Sequence, residues 1–153
     1  MAGDIGAGPA PTDSMAPLPS IRVVVAVIAN AAGQVLLVRK RGSDTFIQPG
    51  GKPEPGEAPL AALARELDEE LGLRLRPESA IELGHFEHRA VNEPGRRVQA
   101  HAWACQVEGE PVAAAEIAEL VWLDPQLPFP VPVAPLSATR ILPAWRALIT
   151  AAG

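Results

Sequence analysis

GKPEPGEAPLAALARELDEELGL, residues 51–73, begins with chain breakers and ends as a strong helix former. From Glu57 or Ala58 to Leu71 the apolar residues Leu60, Leu63, Ala64, Leu67 and Leu71 recur at steps of three and four, the signature of one buried helical stripe. Pro55 and Pro59 fit only a helix start, and Gly72 suits its termination. The helix carries an unusual load: five acidic residues lie between Glu57 and Glu70. Like charges at helical neighbour spacing repel. At about 100° per residue, Glu66, Glu69 and Glu70 share a face roughly 120° from the leucines. Arg65 stands four residues before Glu69 and offsets part of the charge. Two readings of this face are open: a solvated acidic surface, or a platform for a hard divalent cation such as Mg²⁺ or Mn²⁺, which prefers oxygen ligands. The Gly-Gly-Lys turn just upstream favours the second, because it brings backbone groups and an ammonium close to the carboxylates.

Around this helix the chain reads as strands. IRVVVAVIAN, from Ile21, is a continuous β-branched run of the kind buried on both faces. QVLLVRK, TFIQ, AIELGHFEH, RRVQAHAWACQV and ELVWL are further strands. LSATRILPAWRALIT reads as a closing helix with Ser137 as N-cap and a kink at Pro143. The order of strands, helix, strands, helix predicts an α/β (α+β) sandwich in which a mixed β-sheet lies between helices. At 153 residues one domain is expected, over 20–153, preceded by a Gly/Pro-rich disordered tail over 1–19.

Composition narrows the function classes. The net charge of −5 argues against general nucleic-acid binding, which needs a basic surface. One cysteine, Cys105, leaves no internal disulfide and fits a reducing compartment. No apolar run approaches a membrane span, and the start has no signal-peptide pattern, so a cytoplasmic location is expected. His85, His88, His101 and Cys105 have zinc-like spacing, but alternation along a strand sends residues three apart to opposite faces, so no zinc site is expected there. PQLPFPVPVAP is read as a stiff connector. Neither a Gly-x-Ser-x-Gly elbow nor a Walker-type loop is present.

Taken from Gly51, the pattern is Gly, five residues, Glu57, seven residues, Arg65-Glu66-Leu67, one residue, Glu69-Glu70, one residue, Gly72-Leu73. This resembles the complete Nudix box, without departure at any defining position. The resemblance implies a Nudix-type α/β/α sandwich and Mg²⁺- or Mn²⁺-dependent cleavage of a pyrophosphate linkage in a nucleoside diphosphate derivative. It implies Glu66, Glu69, Glu70 and the Gly51 carbonyl as metal ligands, with Glu66 or Glu69 doubling as general base. Arg65 would orient the carboxylates, and Glu57 would brace the loop or hold metal through water. Lys52 and Arg39 are similar to phosphate-facing residues of MutT-like members. Glu116 and Glu119 are candidates for a base supplied by a later loop. Phe46 is a candidate for the base pocket or the core, and Asn92 for a base-edge contact or an ordinary turn. FIQPGGK is similar to the entry of the same group, with Gln48 where an aromatic or apolar residue is usual. Subtype signatures are missing: the chain has no Tyr, and Arg89 stands where ADP-ribose members carry Pro. Elimination leaves a nucleoside triphosphate hydrolase releasing monophosphate and pyrophosphate, with oxidised nucleotides among the candidate substrates. An ADP-ribose or nucleotide-sugar pyrophosphatase and a non-catalytic nucleotide sensor are the alternatives. A small-molecule partner and a monomer are expected.

Overall fold

The computed structural model describes residues 20–152; the tail expected over 1–19 lies outside the described residues. The elements are β1 (Ile21–Val27), β2 (Val35–Lys40), β3 (Phe46–Ile47), β4 (Gly50–Gly51), α1 (Pro59–Leu71), β5 (Arg74–Leu75), β6 (Ile81–Arg89), β7 (Arg97–Ala104), β8 (Val107–Glu108), β9 (Ile117–Leu123) and α2 (Leu142–Ala152). A four-stranded sheet runs β4-β1-β7-β6 and a three-stranded sheet runs β3-β2-β9. β1 and β7 are parallel and every other neighbour in these sheets is antiparallel, so the architecture is mixed. The Leu36 amide donates to the Ile28 carbonyl and ties the two sheets together.

Strand alternation explains the unbroken apolar runs. Val24, Ala26, Ile28, Leu36 and Val38 face α1 and meet Leu63, Leu67 and Leu71 in one core. Val25, Val27, Val35 and Leu37 face the other way, against Leu136, Ile141, Leu142 and Trp145 at the start of α2. The result is an α/β/α sandwich with two apolar layers. Helix α1 starts at Pro59, with Ala58 at the N-cap position, and ends at Gly72, whose φ of 67° admits a turn other residues resist. The Gly72 amide donates to the Asp68 carbonyl and the Leu73 amide to the Leu67 carbonyl, closing the last turn. Among the described residues no helix is long and apolar enough to cross a membrane.

The closing helix differs from expectation. Helical structure begins at Pro135, before Ser137, and Ser137–Ile141 form a π turn leading into α2. Ser137 is therefore not an N-cap: the helix is under way before it, and it is buried at 2% exposure. The Leu142 amide reaches back five residues to the Ser137 carbonyl. Pro143 has no amide to offer the turn before it, which favours widening just there.

Candidate active site

The loop from Gly51 to Ala58 delivers Glu57 to the first turn of α1, where Arg65 meets it. Arg65 Nε donates to Glu57 Oε2 at 2.9 Å and its Nη2 to Oε1 at 2.9 Å, a two-pronged pair. The same guanidinium donates to Glu66 Oε2 at 3.1 Å, to Glu69 Oε1 at 3.4 Å and to the Lys52 carbonyl at 3.1 Å. One arginine thus binds the loop to the helix and absorbs the repulsion the sequence poses. Its fork, together with the Glu54 amide, holds the Glu57 carboxyl down at about 2.

The three glutamates of the acidic face are not equivalent. Glu69 is the most open, Glu66 is mostly covered, and Glu70 is buried at 7% exposure. Burial first, and then the charge of Glu66, push the Glu70 carboxyl up to about 7, while Lys40 works against them. Gly51 lies against Glu66: a Cβ there would stand 2.3 Å from the Glu66 carboxyl carbon. Gly50, at φ 150°, lies against β1, with space for a Cβ only 2.0 Å from the Val24 carbonyl oxygen. The two glycines let this short strand press between β1 and the acidic helix.

Beside these groups opens a cleft of about 340 Å³. Glu66, Glu70, Glu93, Glu116, Lys40, Lys52 and Arg89 supply its charged lining, with the Gly51 main chain among them. Val23, Val25 and Ile47 from the strands, with Leu136 and Ile141 from the opposite helix, supply apolar wall. Asn92 lies on the rim in the β6–β7 loop. Gln48 also lines the cleft; its amide nitrogen donates to the Ala26 carbonyl at 2.9 Å, and its carbonyl oxygen has no hydrogen-bond partner among the described residues.

Six sequence candidates do not line the cleft: Glu57, Arg65 and Glu69, which join Glu66 through the Arg65 guanidinium, and Arg39, Glu119 and Phe46, which lie elsewhere. Arg39 faces away from α1; its Nε donates to Glu119 Oε1 at 3.1 Å and its Nη1 to the Ser43 carbonyl at 2.9 Å. Glu119 is its cross-strand partner on β9, and neither residue lines the cleft. Phe46 is 4% exposed and belongs to the core beneath α2. The cation that does enter is the next residue, Lys40, 3.8 Å from Glu116. One position reverses the face of a strand, so of the Arg39–Lys40 pair at the end of β2 only Lys40 lines the cleft.

The donor set suits a hard cation. It offers carboxylates only, one of them buried next to another, beside a backbone that approaches without a Cβ. A buried charge without a cation is costly, and this has a measurable consequence. Folded Glu70 keeps its proton up to about 7, whereas the unfolded chain releases it near 4.5. Folded protein therefore binds more protons in that window, and stability of the metal-free protein falls as pH rises through it, levelling off above. Glu70→Gln removes this loss. In chelator its melting temperature should match wild type at about pH 5 and exceed it at about pH 8, by a stabilisation on the order of 2–3 kcal/mol. Equal melting at both pH values would mean Glu70 carries no buried charge.

Residues 19–143 match the family described as NUDIX domain. The chain is 34% identical over 130 residues to the CTP pyrophosphohydrolase of Escherichia coli, covering 82% of this chain and 91% of that protein. It is 38% identical over 72 residues to the 8-oxo-dGTP diphosphatase of Haemophilus influenzae, covering 44% of this chain and about half, 53%, of that one. Among solved structures, the E. coli ORF135 protein superposes with a TM-score of 0.70 at 33% identity, over 89% of this chain and 97% of its own.

Proposed function

The chain belongs to the Nudix family of pyrophosphate-cleaving hydrolases, and from that premise we propose that it hydrolyses a nucleoside triphosphate to the monophosphate and pyrophosphate. The observation that carries this reading is that Glu66, Glu70, Lys40 and Lys52 share one cleft with an apolar wall. The first group suits a charged polyphosphate, and the wall suits a flat base. The near full-length similarity to a CTP pyrophosphohydrolase supports a triphosphate over a nucleotide sugar.

In this reading Glu66, Glu69, Glu70 and the Gly51 carbonyl would hold Mg²⁺ or Mn²⁺. A cation held there would offset phosphate charge and lower the barrier to attack by water. The chain's own residues do the rest. Lys40 and Lys52 draw the polyphosphate into the cleft. Arg65 fixes the Glu66 carboxylate through a bond at 3.1 Å and anchors it to Glu57. A carboxylate of the Glu66–Glu69 pair accepts the proton of the water that adds to phosphorus. The bridging P–O bond then breaks, and pyrophosphate leaves. Asn92 at the rim has both a donor and an acceptor for a base edge.

The test is a hydrolysis panel with Mg²⁺ or Mn²⁺, holding ordinary and oxidised nucleoside triphosphates, ADP-ribose and nucleotide sugars, with products separated. A monophosphate and pyrophosphate from one triphosphate is the expected result. Turnover confined to ADP-ribose or a nucleotide sugar overturns the substrate class. Binding without turnover of any compound overturns the enzyme reading.

The cleft also separates two adjacent cations. Lys40→Ala should raise KM for the triphosphate about tenfold or more, the scale of one charge-assisted contact. Arg39→Ala should leave KM within about threefold, because its guanidinium is engaged by Glu119 and Ser43. The reverse order would place Arg39 in the phosphate site.

A further inference from the structure

Away from the cleft, on the outer edge of the four-stranded sheet, three potential metal donors converge. His85 on β6 lies directly opposite His101 on β7, and their rings stack with centroids 4.0 Å apart. Glu82 joins them because β6 is not a regular strand. Its register against β7 shifts between Glu82 and Gly84, so Leu83 and Gly84 together occupy the place of one residue. Gly84, at φ 137°, takes the backbone the bulge requires. Regular alternation would put Glu82 and His85, three apart, on opposite faces. The bulge returns both to one face, beside His101.

Glu82 Oε2 is 2.5 Å from His101 Nε2 and 3.8 Å from His85 Nε2, and all donor atoms of the three residues lie within 4.8 Å of one another. A tetrahedral ion with bonds of about 2.0–2.1 Å needs donors about 3.3 Å apart, between the two distances seen. Trp103 packs its ring on His101 at 4.8 Å and limits that imidazole's freedom. His88 and Cys105 take no part: His88 accepts from the Arg89 amide on the other face, and Cys105 is buried in the α1 core.

We infer that Glu82, His85 and His101 form a second metal site, distinct from the glutamates of α1, that takes a borderline divalent transition ion of the Zn²⁺ class. The chemistry separates it from the cleft. Two imidazoles and one carboxylate suit Zn²⁺, Ni²⁺ or Co²⁺ and discriminate against Mg²⁺, which wants oxygen. Three protein donors leave the remaining positions to water, and donors on adjacent strands make the ion a cross-link between β6 and β7.

The experiment is calorimetric titration of ZnCl₂ into the full chain in excess Mg²⁺, which occupies oxygen-rich sites. Wild type should bind a Zn²⁺ ion under these conditions and melt at higher temperature with it. His85→Ala should weaken that binding at least about tenfold, since loss of a mere supporting contact costs that much at metal sites. His85 is exposed, so this variant should fold, and its Mg²⁺-supported hydrolysis should be unchanged. His101→Ala and Glu82→Ala should weaken Zn²⁺ in the same way. The double variant Glu66→Gln/Glu69→Gln should keep it. Zn²⁺ binding that survives His85→Ala, or that disappears in the double glutamine variant, overturns the site.

Discussion

Glu66→Gln is expected to lower kcat/KM by about 10³-fold, the scale of losing a positioned acid–base group, while the fold melts within a few degrees of wild type. Gln matches Glu in volume and helix propensity. The carboxylate is mostly covered, so the change acts where solvent cannot replace the lost charge. It faces the Gly51 backbone and accepts from Arg65, so both the nearest main chain and the nearest cation are arranged around a negative oxygen. Glu69→Gln removes a more open carboxylate joined to Arg65 only at 3.4 Å and should cost less of the fixed geometry, though still one of the proposed ligands. Steady-state kinetics in Mg²⁺, paired with thermal melting, checks both. Full activity of Glu66→Gln would remove it from the catalytic set.

Gly50→Ala should be the most damaging single methyl in the molecule, destabilising by about 3 kcal/mol or more, the range of severe backbone clash and strain. The added carbon would stand 2.0 Å from the Val24 carbonyl oxygen and 2.8 Å from the Val25 Cα, both main chain of the central strand β1. Neither can turn aside without breaking the β1–β4 pairing. The φ of 150° is one that L side chains rarely adopt. Gly51→Ala also makes a very short contact, 2.3 Å, but of a different kind. Its obstacle is the end of the Glu66 side chain, which can swing. So Gly50→Ala should show its effect in the urea midpoint and Gly51→Ala chiefly in kcat. Two neighbouring glycines with the same loss profile would contradict this division.

Most of the scaffold could be read from residue pattern because both layers of the sandwich are encoded locally. The β-branched run of β1 and the leucine stripe of α1 each have one stable solution. The box from Gly51 to Leu73 placed the carboxylates and Arg65 together, since a single helix and its preceding loop hold them all. What escaped depended on neighbours distant in sequence. Which of Arg39 and Lys40 meets the cleft is a matter of strand face, and β2 is apolar on both faces, so its sequence does not reveal the answer. Phe46 was equally suited to pocket or core until β2 and α2 closed over it. Ser137 has the right chemistry for a cap, but Pro135, a good first helical residue, had already begun the helix. The bulge in β6 did leave a trace. Gly84 inside a strand is a signal for irregular backbone, and following it would have put Glu82, rather than His88, next to His85.

The parallel pairing of β1 with β7 sets a clock on synthesis. Ile21 lies opposite Val98, 77 residues further along the chain (98 minus 21), and the offset holds to Val27 and Ala104. At about 5–20 residues per second, the strand richest in valine waits on the order of 4–15 seconds on the ribosome before its parallel partner exists, and only Val24 and Val25 can pair sooner, with β4. The antiparallel β6–β7 hairpin closes across a short loop and can form as soon as it emerges. Vulnerability to aggregation is thus set by the interval in which the β7-facing edge of β1 stands open, and a faster-translating host would shorten that interval without altering one contact in the finished fold.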